Sequence, residues 1–483
     1  MDNQKTLRDL IQERLIQYGD IPVFSFFNSD RSEVLKIMPD KFARDVEKLG
    51  AWLLNNGYYQ KHIAILSENS YEYLLFATAI ACSGNVAVLL DTNLLHDEYE
   101  HLLDFNDCSL MCVSDNYQNA ANNIKQDLVK LNMSSTYELI NDDEHDIDLT
   151  KYNELKINVD DNAIIIFTSG TSGERKGVLL SHLNITSLAD GVEKETDIRD
   201  DVVLSLPLYH VFGFVVTIAC IQIGLDIFIN QSLRNLVKDI LAINPSHFCT
   251  VPAMLPIMHQ CLSKLEIKNR VIVCGGAAGA EKWIEPLKQL DVNVILGYGM
   301  TETSSVISLE PYYKKEHDGF MKVIDTVSAR IDDPDTDGIG EILVKGATVM
   351  KGYYKMSAET NKVIEDGWLH TGDLGKIDER NYLTIVGRKK NILVLPNGEN
   401  IAPEMIEKKI LKIEGVKECV VSINEGLLQA NIYAPDGNVE QIKQDLKSVN
   451  NTLNSHMRIA KIEFREEEFA KNSTGKIIRQ NKD

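Results

Sequence analysis

Residues 164–178 read Ile-Ile-Ile-Phe-Thr-Ser-Gly-Thr-Ser-Gly-Glu-Arg-Lys-Gly-Val. Four hydroxyls (Thr168, Ser169, Thr171 and Ser172) alternate with Gly170, Gly173 and Gly177, beside Arg175 and Lys176. Hydroxyls, bare backbone N–H groups and cations together suit a polyphosphate. Glycine lets a backbone amide approach an anion with no Cβ in the way. A Walker A loop needs a hydroxyl directly after its lysine. Here Gly177 and Val178 follow Lys176, so that reading fails on spacing. The plainer alternative is a small-residue turn between two elements.

Four further segments carry reactive side chains. Gly297-Tyr-Gly-Met-Thr-Glu-Thr303 places Tyr298 between Gly297 and Gly299, where its ring can lie against a base. Glu302, among hydroxyls, can hold a divalent cation through oxygen, magnesium being the natural choice; the alternative is a turn with a surface acid. Trp368 to Gly375 sets Asp373 in a glycine-flanked loop, where it can accept both hydroxyls of a ribose or simply form a turn. Gly387-Arg388-Lys-Lys390 offers a guanidinium fork for ribose or phosphate, or a solvated linker charge. Near the end, Asn472-Ser-Thr-Gly-Lys476 presents a lysine that can swing a compact charge into a site, or a frayed basic tail.

These groups need a scaffold. Leu7 to Tyr18 has helical spacing. His62 to Asp91 reads strand, helix, strand, and a second such unit ends near Met111-Cys-Val113. Short apolar strands recur at Val202, Phe248, Val271 and Val294, each ending at small or turn-forming residues. Strands alternating with helices predict a largely parallel sheet covered on both faces, with ligands at the carboxyl ends of its strands. From about Asp318 the pattern alternates, with turns at Asp337-Gly and Asp366-Gly, which predicts a small antiparallel β subdomain. After Arg388 a compact α+β module is expected: helix Pro403–Leu411, two strands from Cys419 and Leu428, helix Val439–Leu453 and a strand at Lys461.

Composition narrows the partners. With 50 basic and 71 acidic side chains the formal charge is −21, which disfavours nucleic acid and anionic membranes. The eight cysteines lack any Cys-x-x-Cys pair and several sit in apolar runs, as expected of a reduced, cytoplasmic chain. The eleven histidines show no metal spacing. The apolar run Val211–Leu225 is too short to span a bilayer and reads as a buried core element. The N-terminus has no signal-peptide core.

The motifs arrive in a fixed order: 168–177, Leu206-Pro-Leu-Tyr-His-Val-Phe-Gly213, 297–303, Gly340-Glu-Ile-Leu-Val-Lys-Gly346, Lys351-Gly-Tyr-Tyr354, Thr371-Gly-Asp-Leu-Gly375, Gly387-Arg388 and 472–476. Over nearly its whole length the chain resembles the adenylate-forming superfamily of acyl-CoA synthetases, peptide-synthetase adenylation domains and luciferases. The resemblance implies an α/β fold: a large N-terminal domain (1–386) with a small β subdomain, a hinge (387–390), and a small mobile α+β C-terminal domain (391–483). It implies two half-reactions. A carboxylate attacks the α-phosphate of ATP to give acyl-AMP and pyrophosphate; a thiol of CoA, or of a carrier-protein phosphopantetheine, then takes the acyl group.

The resemblance also implies roles. Residues 168–176 (Thr168, Ser169, Gly170, Thr171, Ser172, Gly173 and Lys176) wrap the β- and γ-phosphates. Tyr298 stacks on adenine beside Gly299, and Gly275, Gly276 and Ala277 line its edge. Thr301 touches the α-phosphate and Glu302 holds magnesium. Asp373 and Arg388 hold the ribose. Lys476 bridges the carboxylate and the α-phosphate, His210 sits at the mouth of the acyl pocket, Lys390 is the hinge, and Gly398 faces the pantetheine. The joint departs from many relatives, with Asn391 in place of an Asp and a loop one residue longer.

The acid itself is expected to lack an α-amino group. Amino-acid-activating relatives place an Asp just after the Leu-Pro-Leu segment, but residues 209–214 are Tyr-His-Val-Phe-Gly-Phe. An ammonium buried there without a partner would be costly. Ala277, Ala278 and Gly279 leave room for an aliphatic or an aryl acid, and the aliphatic acid is the expectation. A ligase that loads a separate carrier protein, and a non-catalytic nucleotide binder, are the remaining readings. Lys476, Glu302 and Asp373 together argue against the last.

Overall fold

A computed structural model describes residues 4–125, 127–142, 146–168, 175–196, 200–265, 269–276, 279–311, 320–395, 400–471 and 477–479. The expected strand–helix–strand units are present. His62–Leu66, Tyr71–Cys82 and Val86–Leu89 form the first, and His96–Phe105 leads into Cys108–Val113 as the second. They build a seven-stranded sheet in the order Gly352–Tyr353, Lys176–Ser181, Asn162–Thr168, Val86–Leu89, His62–Leu66, Cys108–Val113, Val129–Asn132. The last five run parallel, and the first two are antiparallel additions at one edge. The sheet interior is Val-, Ile- and Leu-rich because both faces are covered.

A larger sheet carries the parallel run Phe24–Phe27, Asp226–Ile229, Asp201–Leu204, His247–Thr250, Arg270–Gly275, Val292–Tyr298. Here the structure refines the expectation of a distinct antiparallel subdomain. The antiparallel strands Val327–Asp332, Gly340–Gly346, Trp368–Ile377 and Tyr382–Arg388 are hydrogen-bonded onto this sheet through the short strands Met321–Val323 and Ser308–Leu309. Backbone groups at the end of Val292–Tyr298 are thereby paired, where a free edge would leave them exposed.

Between the sheets runs the helix Val211–Ile223, apolar and buried on nearly every side. Gly224, at φ +90°, ends it in the left-handed conformation that glycine adopts without strain. No helix among the described residues is long and apolar enough to cross a membrane. All eight cysteines are free and buried. The Leu7–Gln17 helix opens with a reciprocal cap between Thr6 and Asp9. It is tied to the helix His182–Glu195, because the Leu7 N–H donates to His182 Nδ1 at 3.3 Å.

Beyond Arg388 the predicted succession appears: helix Pro403–Ile410, strands Glu418–Asn424 and Leu427–Tyr433, helix Val439–Asn451, strand Lys461–Arg465. The three strands form their own sheet. Ile406, Ile410, Val421, Ala430, Ile432, Ile442 and Leu446 form their own apolar cluster. Asn438 caps the second helix by accepting from the N–H groups of Glu440 and Gln441.

Candidate active site

The candidate residues gather where the parallel strands end. Thr168 closes the strand Asn162–Thr168 and is paired with Lys176 across the hairpin. Ser169, Gly170, Thr171, Ser172 and Gly173 lie outside the described residues, as do Ala277, Ala278, Gly398 and Lys476. The hairpin stem holds its two cations differently. Arg175 faces two carboxylates, Glu98 at 3.3 Å and Asp91 at 3.6 Å. It is thus anchored to acids that follow the strand Val86–Leu89, which the sequence pattern did not suggest. Lys176 Nζ meets Glu359 at 2.8 Å and lies 4.8 Å over the Tyr353 ring. Hydrogen bonds from Lys176 and Lys362 pull the Glu359 carboxyl down to about 2.

Tyr353 leads to the next candidate. Its hydroxyl donates to Glu302 Oε1 at 2.8 Å, and the Glu302 carbonyl accepts the Met350 N–H at 2.8 Å. Glu302 and Thr301 lie in a buried 3-10 turn, Thr301–Thr303. Burial raises the Glu302 carboxyl, while the Tyr353 bond and the charges of Arg388 and Lys176 oppose that rise. Behind the turn, Ser304 (φ +56°) and Ser305 (φ +101°) both occupy left-handed conformations. Two such residues in succession store strain of the kind found at functional turns. A Cβ at Gly299 would lie 1.9 Å from the Ser305 carbonyl oxygen, so glycine is obligatory there.

A second cluster adjoins the first. The Tyr298 hydroxyl donates to Asp373 Oδ2 at 2.8 Å, and Arg388 Nε meets Asp373 Oδ1 at 2.8 Å. Asp373 and Arg388 are direct partners on adjacent strands, which explains how positions 15 residues apart converge. Burial and the Asp373 charge push the Tyr298 phenol well above its ordinary value. Gly372, Arg388, Lys389 and Lys390 line a cleft of about 360 Å³ beside them.

Gly275 ends the strand next to Gly297, and a Cβ there would crowd the Gly297 carbonyl at 3.3 Å and the Phe212 ring at 3.5 Å. Gly276 follows at φ +87°. His210 is half-buried at the start of the Val211–Ile223 helix, two residues before Phe212. Asn69 fixes the preceding segment, donating to the Leu206 carbonyl at 2.7 Å and accepting the Leu208 N–H at 2.9 Å. The described candidates thus form two contact groups, Lys176–Tyr353–Glu302 and Tyr298–Asp373–Arg388, joined by the segment Tyr298–Glu302, with Gly275 paired to Gly297 beside them. Sequence reasoning missed Tyr353, Glu359 and Asn69 as parts of the site. Only Tyr353 carried a signal, as a member of the Lys351–Tyr354 motif.

A twisted α/β body with a glycine-rich hairpin, buried carboxylates and flanking cations at the carboxyl ends of its strands defines a nucleotide-handling enzyme. The family model "AMP-binding enzyme" matches residues 40–354. A 2-succinylbenzoate–CoA ligase of Oceanobacillus iheyensis is 32% identical over 395 residues, 79% of this chain and 78% of the relative. The long-chain-fatty-acid–CoA ligase FadD13 of Mycobacterium tuberculosis is 30% identical over 338 residues, 66% of this chain and 67% of the relative. Among solved structures, O-succinylbenzoate CoA synthetase (MenE) of Bacillus subtilis with ATP and magnesium superposes with a TM-score of 0.78 at 22% identity, covering 97% of this chain and 98% of that one. ATP-bound MatB of Rhodopseudomonas palustris gives 0.81 at 24%, covering 98% and 97%. The chain belongs to the AMP-binding enzyme family.

Proposed function

We propose that this protein is an acid–thiol ligase of the AMP-forming type. It joins a carboxylic acid to the α-phosphate of ATP, releases pyrophosphate, and passes the acyl group to CoA in the cytoplasm. The observation that carries this reading is the contact chain Lys176–Tyr353–Glu302 beside Tyr298–Asp373–Arg388. One end suits a polyphosphate and the other a ribose.

Thr168, Lys176 and the loop between them would cradle the β- and γ-phosphates, and Thr301 the α-phosphate. Tyr298 with Gly275, Gly276 and Ala277 would flank adenine, with Asp373 and Arg388 on the ribose. Glu302 fits magnesium by its chemistry, being a buried hard-oxygen donor beside a phosphate-binding hairpin. The bound ion would neutralise charge on the phosphates. The first step needs no general base, since a carboxylic acid is already ionised at neutral pH. Alignment and neutralisation by Lys176 and Lys476 would do most of the work. The second step needs the thiol where Lys476 stood, so residues 391–483 would turn about Lys390 and bring the thiol past His210.

The acid lacks an α-amino group. Among such acids we place aryl acids ahead of the fatty acids that the sequence suggested. The succinylbenzoate ligase shares more of the chain at higher identity than the fatty-acid ligase does, and the Phe212 ring lies beside Gly275. The test is pyrophosphate release against a panel of aryl and aliphatic acids, with and without CoA. Release with aryl acids and an aryl-CoA product is expected. Release with fatty acids alone would reverse the order, acylation of a carrier protein but not CoA would change the acceptor, and no release with any acid would end the ligase reading.

A further inference from the structure

Glu341 has no part in the roles above. It lies on the strand Gly340–Gly346 and is 6% exposed. A carboxylate at that depth needs partners. Its Oε1 accepts the Gly372 backbone N–H at 3.0 Å. Its Oε2 accepts from Lys389 Nζ at 2.7 Å and lies 3.2 Å from His370 Nδ1. Burial would raise this carboxyl, but the bonds from Lys389, His370 and Gly372 outweigh burial and hold it below its ordinary value. Asp332, across the ladder, brings a further carboxylate, so that ligand atoms of Asp332, Glu341 and His370 lie within 4.8 Å of one another. The Lys389 ammonium already supplies a cation to this group, which makes it an ion pair in place of a metal site.

The positions of two partners give the pair its meaning. Gly372 precedes Asp373, and Lys389 follows Arg388. Asp373 and Arg388 are themselves ladder partners. Gly372 and Lys389 also line the 360 Å³ cleft, together with Arg388 and Lys390. One carboxylate therefore joins the strand that carries Asp373 to the first residue after the strand Tyr382–Arg388. Without Lys389 the carboxylate would keep only the Gly372 N–H and His370.

We propose that Glu341 is a positioning residue. It pins Lys389 to the Gly372 backbone, so that the joint turns at Lys390 and beyond while Asp373 and Arg388 keep their register. This rests on the two-half-reaction reading given above. Glu341→Gln keeps an oxygen for the Gly372 N–H and removes the charge that holds Lys389. In the nucleotide-free enzyme, trypsin cleavage after Lys389 or Lys390 should quicken about two- to fivefold, the size of a partly exposed ion pair. The adenylate-forming and thioester-forming rates should change by different factors. Lys389, at 60% side-chain exposure, can be replaced with little risk to folding. Lys389→Met should reproduce the imbalance and Lys389→Arg should restore wild-type behaviour. Unchanged cleavage in Glu341→Gln, or an equal loss of both half-reactions in Lys389→Met, overturns the proposal. The proteolysis needs no turnover, so inactivity with every acid would refute the ligase reading and leave the pin to be judged by cleavage.

Discussion

Glu302 illustrates how much one side chain depends on residues far off in the chain. Its carboxylate is buried, and its hydroxyl partner, Tyr353, stands 51 positions later. Glu302→Gln preserves an oxygen for that hydroxyl while removing the charge. Loss of about 10²- to 10³-fold in acid-dependent pyrophosphate exchange is expected, the usual cost of deleting one transition-state electrostatic partner. Soluble yield and Tm should stay near wild type; exchange within a few-fold of wild type would show that Glu302 is structural only. Residue identities such as Glu302, Asp373 and Arg388 were legible in the sequence because short motifs frame them. Their partners were not. Glu359 reaches Lys176 across 183 positions, and nothing in the local pattern around Glu359 signals it.

At the level of elements, hydrophobic periodicity marked the long βα units, since a strand buried on both faces and a helix with one apolar stripe write different patterns. It could not mark Ser308–Leu309 and Met321–Val323, which have two and three residues, too few to show a period. These short strands are what joins the antiparallel part to the main sheet. The docking of the Leu7–Gln17 helix onto His182 makes a separate prediction. Burial lowers the His182 imidazole from 6.5 to about 4. The unfolded chain therefore takes up a proton near pH 6.5 and the folded chain only near pH 4. This contribution to stability is whole above pH 6.5 and falls as acid is added, by about 3 kcal/mol at pH 4. His182→Gln lacks the group. Its stability deficit in urea at pH 7.5 should shrink at pH 4.5, and a deficit independent of pH would discard the account.

For the whole molecule, residues 401–465 have a sheet and a core of their own, and the proposed reaction divides into two half-reactions. If Lys476 acts only in the first, Lys476→Ala should lower acyl-AMP formation by at least about 10²-fold. Thioester formation from supplied acyl-AMP should survive largely intact. Single-turnover assays of each step decide this, and parallel losses in both would remove Lys476 from its role. The acidic chain leaves a further mark on nucleotide binding. A cationic site that holds diffuse salt ions releases them when phosphate arrives, and its affinity falls steeply with ionic strength. Here Lys176 and Arg388 already hold carboxylates of the protein itself, Glu359 and Asp373. Under the proposed reading the phosphates would take Lys176 from Glu359 with no solution anion released there, while Arg388 and Asp373 would stay paired on the ribose. That site would act as an ion exchanger charged with its own side chain, and the dissociation constant for ATP of Glu359→Gln, whose Lys176 must draw on solution anions, should depend more steeply on salt than that of the wild type; equal slopes would discard the account.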